Sequence, residues 1–168
     1  MKYAGTLLAV KDISASKQFY QDMLGLNVVA DFGTNVTLAD GIVLRTLETW
    51  KAFIHTDKVA FLCNTGELYF ETENIDEFCK SLEPFDVCYV HELYEQPWGQ
   101  RVIRLHDPDG HIIEVAEKLD TVIQRFADQG LTAEKIAARM DIPLDFVILS
   151  LGRVKYNFLS GQEFLVFH

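Results

Sequence analysis

The chain is short of cysteine, of long apolar runs and of basic residues, and each shortage excludes something. Its three cysteines, Cys63, Cys79 and Cys88, have neither the number nor the spacing of a disulfide framework or a thiolate metal site. They read as buried small apolar side chains in a reducing compartment, which points to the cytoplasm. The N-terminal apolar run Ala4–Val10 stops at Lys11-Asp12, too short for a secretory signal and far too short to cross a membrane. There is no Gly-x-Gly-x-x-Gly and no Gly-Lys-Ser/Thr, so no nucleotide phosphate cradle is indicated. There is no Gly-x-Ser-x-Gly and no cysteine with an evident histidine partner, so nucleophilic hydrolysis is not supported. Basic residues are outnumbered, 15 Lys and Arg against 25 Asp and Glu. The resulting net charge of -10 argues against nucleic acid or an anionic membrane as a partner.

What is present is an ordinary globular composition, 49% hydrophobic and 24% charged over 168 residues, enough for one domain with a short appendage. The acidity is unevenly placed. Residues 1–117 carry 9 Lys and Arg against 19 Asp and Glu, whereas residues 118–168 carry 6 of each.

Residues 1–117 read as two similar halves, 1–48 and 66–117. In the first, Tyr3–Val10 is strand-like, and a helix opens near Lys11-Asp12-Ile13-Ser14, with Ser14 as its expected cap. Phe19, Tyr20, Met23 and Leu24 form its apolar stripe and Gly25 ends it. Three short strands follow, Asn27–Phe32, Asn35–Leu38 and Ile42–Leu47. In the second half, strand Glu67–Glu73 precedes a helix that starts at Asn74-Ile75-Asp76-Glu77 and stops before Pro84. Strands Asp86–Tyr94, Arg101–His106 and His111–Glu117 complete it, the last two joined by the turn Asp107-Pro108-Asp109-Gly110. Each half is thus strand, helix, then three strands. The expected fold class is α+β: two βαβββ modules in a curved eight-stranded mixed sheet.

Matching the helix starts pairs Gly5 with Glu67, and matching the last turns pairs Arg45 with Glu114. Glu67 and Glu114 sit on otherwise apolar strands. Facing into a curved sheet, two carboxylates need a counter-charge, a proton or a bound cation.

The stretch LLAVKDISASKQF at 7–19, Phe19-Tyr20-x-x-Met23-Leu24-Gly25-Leu26, Trp98-Gly99-x-Arg101 and Asp107-Pro108-Asp109-Gly110-His111-Ile112-Ile113-Glu114 resemble the vicinal oxygen chelate superfamily. That group holds glyoxalase I, bleomycin-resistance proteins and extradiol dioxygenases. The resemblance covers residues 1–117 and implies up to four metal ligands drawn from His, Glu and Gln. Carried over, they fall on Gly5, Arg45, Glu67 and Glu114. Two are lost, since Gly5 has no side chain and Arg45 brings a cation. Two protein ligands are fewer than a divalent catalytic site usually uses. The expectation is therefore a metal-free cavity, with Arg45 pairing with Glu67 or Glu114. The alternative is a nickel, zinc, iron or manganese ion on Glu67 and Glu114, completed by a histidine or water. If the protein is a catalyst, with or without a metal, Glu67 or Glu114 is the natural base.

Other candidates are Trp98 and Arg101, which the resemblance places near the cavity mouth, to stack on a planar ligand and bind an anionic group. Tyr69, Trp50 and Tyr94 are candidate lining residues, read also as plain core. His91, His106 and His111 read as hydrogen-bonded strand-end residues, His55 as part of a linker and His168 as the terminus.

Residues 118–168 lie outside the resemblance. Helices are expected from Leu119 to Gly130, over Thr132–Met140 and over Leu144–Leu151, with spacing like a helix-turn-helix, and a hairpin from Val154–Phe158 and Glu163–Phe167. The third helix lacks Arg, Lys, Asn and Gln over Pro143–Leu151, which leaves nothing to read bases. The functional expectation is a small-molecule-binding protein of this superfamily, homodimeric by resemblance. A metal-dependent lyase, isomerase or dioxygenase is the alternative, and a ligand-sensing regulator acting through the C-terminal module the third reading.

Overall fold

The computed structural model describes residues 1–160. The first half contains β1 (Thr6–Val10), α1 (Ile13–Leu24), β2 (Val28–Asp31), β3 (Asn35–Leu38) and β4 (Ile42–Thr46), followed by α2 (Leu47–Ile54). The second contains β5 (Glu67–Thr72), α3 (Ile75–Leu82), β6 (Tyr89–Glu95), β7 (Arg101–His106) and β8 (Ile112–Glu117). Three helices follow, α4 (Leu119–Asp128), α5 (Ala133–Met140) and α6 (Leu144–Ser160).

The first sheet has the order β1-β4-β3-β2, and the second repeats it as β5-β8-β7-β6. β1 runs parallel to β4, with Thr6 opposite Ile42 and Val10 opposite Thr46, while β2–β3 and β3–β4 are antiparallel. A parallel neighbour needs a crossover, and α1 is part of it. The α+β expectation of two βαβββ repeats therefore holds.

Local chemistry sets the boundaries. Asp12, not Ser14, caps α1: its carboxylate accepts from the backbone N–H groups of Ser14 at 2.9 Å and Ala15 at 3.0 Å. Gly25 ends the helix with φ 67°. At α3, Asn74 and Glu77 form a reciprocal box: Glu77 N–H donates to Asn74 Oδ1 at 3.1 Å, and Asn74 Nδ2 donates to Glu77 Oε2 at 3.2 Å. The helix α2 was not expected. It carries the half-buried Trp50, with His55 as its left-handed C-cap where a linker was expected.

The chain gathers into two compact units. One comprises Met1–Tyr69, Cys79–Glu92 and Arg104–Glu114; the other comprises Phe70–Phe78, Leu93–Ile103 and Val115 onward. The first unit is organised by Leu8, Val10, Tyr20, Leu38, Leu44 and Ile113, all nearly inaccessible. The second has a helical core of Val122, Ile123, Phe126, Ile136, Met140 and Val147. Each such side chain contributes about 1.5–3 kcal/mol on burial. The helix α6 runs through Gly152 to Ser160, so residues 154–158 are helical where a hairpin arm was expected. The other expected arm, Glu163–Phe167, lies outside the described residues. No helix among them is long and apolar enough to cross a membrane.

Candidate functional site

In the first unit the site is built on the β7–β8 turn. The buried Asp107 carboxylate accepts from Tyr20 Oη at 3.0 Å, from the backbone N–H groups of Asp109 and His111 at 2.9 Å, and from His111 Nδ1 at 2.8 Å. Burial opposes the Asp107 charge, but the bonds and charge of His111 and the Tyr20 hydroxyl outweigh it and hold this carboxyl below its usual range. Burial and then the charge of Asp107 push the Tyr20 phenol far above its ordinary value.

The turn also sets the strand register. Asp107 N–H donates to the His111 carbonyl at 3.0 Å, and counting back from that pair brings Arg104 opposite Glu114. Arg104 is the hub of the cluster. Its Nε donates to Glu67 Oε2 at 2.8 Å and its Nη2 to Glu67 Oε1 at 3.4 Å. Nη2 also forms an ion pair with Glu114 Oε2. Nη1 lies 3.1 Å from His91 Nε2, which must accept because a guanidinium has only donors. His91 Nδ1, 2.7 Å from the Glu92 carbonyl, then carries the hydrogen. The Glu114 side chain is 8% exposed against 35% for Glu67, so the pairing matters most for Glu114.

Glu67 and Glu114 are thus brought together, but by Arg104 and not by Arg45. The Arg45 Nε donates to Asn35 Oδ1 at 3.1 Å, and its guanidinium lies 4.7 Å from the centre of the Phe53 ring. Tyr69 is half exposed on β5. A cleft of about 220 Å³ opens beside Glu67, lined by Thr6, Leu8, Cys63, Leu68, His111 and Ile112.

The residues present do not fit a divalent ion. Both carboxylates already face a guanidinium. Among the described residues, no three His, Cys, Asp or Glu side chains are grouped to hold a metal. Position 5 is closed by the backbone as well: Gly5 has φ +147°, and a Cβ there would lie 2.3 Å from the Gly41 carbonyl oxygen.

Trp98 and Arg101 belong to the second unit. Arg101 has no free fork for a ligand. Its Nε and Nη2 donate to Glu117 Oε1 at 3.0 and 2.7 Å, and its Nη1 to both Asp76 oxygens at 2.9 and 3.0 Å. Glu117, 1% exposed, also accepts from the Arg101 backbone N–H at 3.0 Å and from Arg125 Nη2 at 3.0 Å. Burial works to raise this carboxyl, but the Arg101 bonds and the Arg125 charge overcome it and keep it low. Arg101, bonded to Glu117, is pushed up in turn. Trp98 is 40% exposed, and its indole donates to Gln100 Oε1 at 3.2 Å.

Sequence reasoning missed Arg104. The signal was available: a tight turn at 107–110 fixes the hairpin register, which sets Arg104 against Glu114. Arg125, which closes the second network, lay beyond the resemblance and offered no such cue.

A glyoxalase-like domain model matches residues 3–120. A crystal structure of a protein of unknown function from Agrobacterium tumefaciens is 36% identical, with a TM-score of 0.64, covering 71% of this chain and 95% of that one. A lactoylglutathione lyase from Agrobacterium tumefaciens is similar at 24% identity and TM-score 0.54, over 69% of this chain and 92% of its own. A glyoxalase/bleomycin resistance protein/dioxygenase family enzyme from Burkholderia phytofirmans is similar at 16% identity and TM-score 0.60, over 69% and 98%. The last two likenesses concern the fold alone. Comparison with curated proteins returned no match.

Proposed function

Since the chain belongs to the glyoxalase-like family of the vicinal oxygen chelate superfamily, we propose that it binds a small molecule without a catalytic metal. The observation that carries this reading is the Arg104 guanidinium between Glu67 and Glu114, where it supplies the positive charge a metal would otherwise bring. The cleft beside Glu67 offers apolar contact from Leu8, Leu68 and Ile112 and polar contact from Thr6 and His111.

Calorimetric titration of the purified protein with nickel, zinc and ferrous iron tests the metal-free reading. No stoichiometric binding is expected. A one-to-one ion that is lost in Glu114→Gln would overturn it. The binding reading is tested by a thermal-shift screen of small molecules, in which hits should weaken in Leu68→Ala and His111→Ala.

The same reading takes the chain to be a cytoplasmic homodimer. Its free cysteines suit a reducing compartment. Leu144, Phe146, Ile148 and Leu149 leave an apolar surface on α6, which suits self-association. Light scattering after size exclusion should give twice the chain mass.

A further inference from the structure

A second pocket in the first unit, of about 380 Å³, shares no lining residue with the cleft beside Glu67. Its walls include Phe19, Met23 and Phe85, and three carboxylates, Asp22, Asp86 and Asp107, also line it. This volume falls in the range of small-molecule sites. The Asp22 carboxylate is held by Gln18 Nε2 at 2.8 Å.

The pocket also contains a thiol and an imidazole, Cys88 and His106. Their backbones are joined where the His106 N–H, at the end of β7, donates at 2.8 Å to the carbonyl of Cys88, the residue before β6. Side chains so placed have their Cβ atoms roughly 5 Å apart. The ring of His106 is oriented by a second contact. Its Nδ1 lies 3.3 Å from the Gly110 carbonyl, which can only accept, so Nδ1 carries the hydrogen and Nε2 is left as a base. Cys88, like Cys63, is exposed and not buried as expected, so reagents can reach it. A thiol and an imidazole whose ring is oriented by the Gly110 carbonyl therefore line one pocket.

We propose that Cys88 and His106 form a covalent site for neutral electrophiles with an aromatic body, of the α,β-unsaturated carbonyl class. The Cys88 Sγ–H gives its proton to His106 Nε2 as sulfur attacks the β-carbon of the acceptor. The new S–C bond pushes the alkene pair onto the carbonyl as an enolate. The imidazolium then returns the proton to the α-carbon, so no co-reactant or leaving group is required. Phe19 and Phe85 supply stacking for the aromatic body, and Asp22 and Asp86 disfavour anionic reagents.

N-phenylmaleimide and N-ethylmaleimide serve as probes on the full chain, with modification at each cysteine followed by mass spectrometry. Cys63 is the internal reference, since it is also exposed. Cys88 should react at least about tenfold faster than Cys63 with N-phenylmaleimide, with a smaller advantage for N-ethylmaleimide. His106→Asn should lower the Cys88 rate about tenfold while leaving the Cys63 rate unchanged. Equal Cys88 rates in the wild type and His106→Asn would overturn the proposal. The comparison of the two probes needs no substitution, and an equal advantage for both would equally overturn it.

Discussion

Glu114 and Glu117 lie on the same strand and each is buried against an arginine of β7, yet their surroundings differ. Glu117 is shared by Arg101 and Arg125, and Arg101 is further engaged by Asp76. Glu114 shares Arg104 with Glu67, a carboxylate that is about one-third exposed, and with His91. The first arrangement is closed on itself, two cations on one buried anion. The second is one cation divided between two anions, one of them open to water. A buried ion pair costs desolvation whichever way it is built, so the difference shows when a member is removed.

Five measurements bear on that contrast and on the residues around it. The largest effect is expected from Glu117→Ala, which strands Arg101 and Arg125 and should lower stability by about 3–5 kcal/mol in urea unfolding. Arg104→Ala should cost less, about 1–3 kcal/mol, because Glu67 can rehydrate. Adding Glu114→Ala to Arg104→Ala should recover part of the loss, as a double-mutant cycle would show. Gly5→His should cost about 1–3 kcal/mol through its positive φ and the approach of Gly41, and calorimetry should detect no gain in nickel affinity. Arg45→Ala, which loses only Asn35 and the Phe53 ring, should cost about 1 kcal/mol or less.

Acid adds an independent check on the closed network. The Glu117 carboxyl titrates below its unfolded value of 4.5, so its pairing contributes fully above that pH and is lost as pH falls through the lowered folded value. Glu117→Gln should therefore flatten the fall of urea midpoint below about pH 4.5. Asp107, also lowered, should leave a residual slope in that variant below its own unfolded value of 3.8.

The repeat was legible because each helix opens on a matching pair, Asp12-Ile13 or Asn74-Ile75, and each last strand follows an Asp-Gly turn, Asp40-Gly41 or Asp109-Gly110, even though the first cap was misassigned to Ser14. Glu67 and Glu114 were legible as carboxylates out of place on apolar strands. Their partner was not, because symmetry between modules points to equivalent positions, and it pointed to Arg45. The actual partner is fixed by pairing within the β7–β8 hairpin. Arg101 likewise read as an available cation, since nothing local reveals that Asp76 and Glu117 both reach it. The helix α2 escaped because Leu47–Ile54 follows a strand without a side-chain cap bond to mark the change. The arm expected over Val154–Phe158 is helical because α6 continues through Gly152, which was read as its end.

The Trp98–Arg101 loop carries a final consequence. Gly99 has φ +96°, a Cβ there would lie 2.1 Å from the Phe126 ring, and its carbonyl accepts from Arg125 Nη2 at 2.6 Å. Yet the family match ends at residue 120, before either partner. The boundary of inherited sequence is thus not the boundary of mechanical support. Trimming this chain to the residues that the family model matches would remove the surface on which that loop rests, and a recombinant fragment designed from the match alone would keep the loop without its anchor.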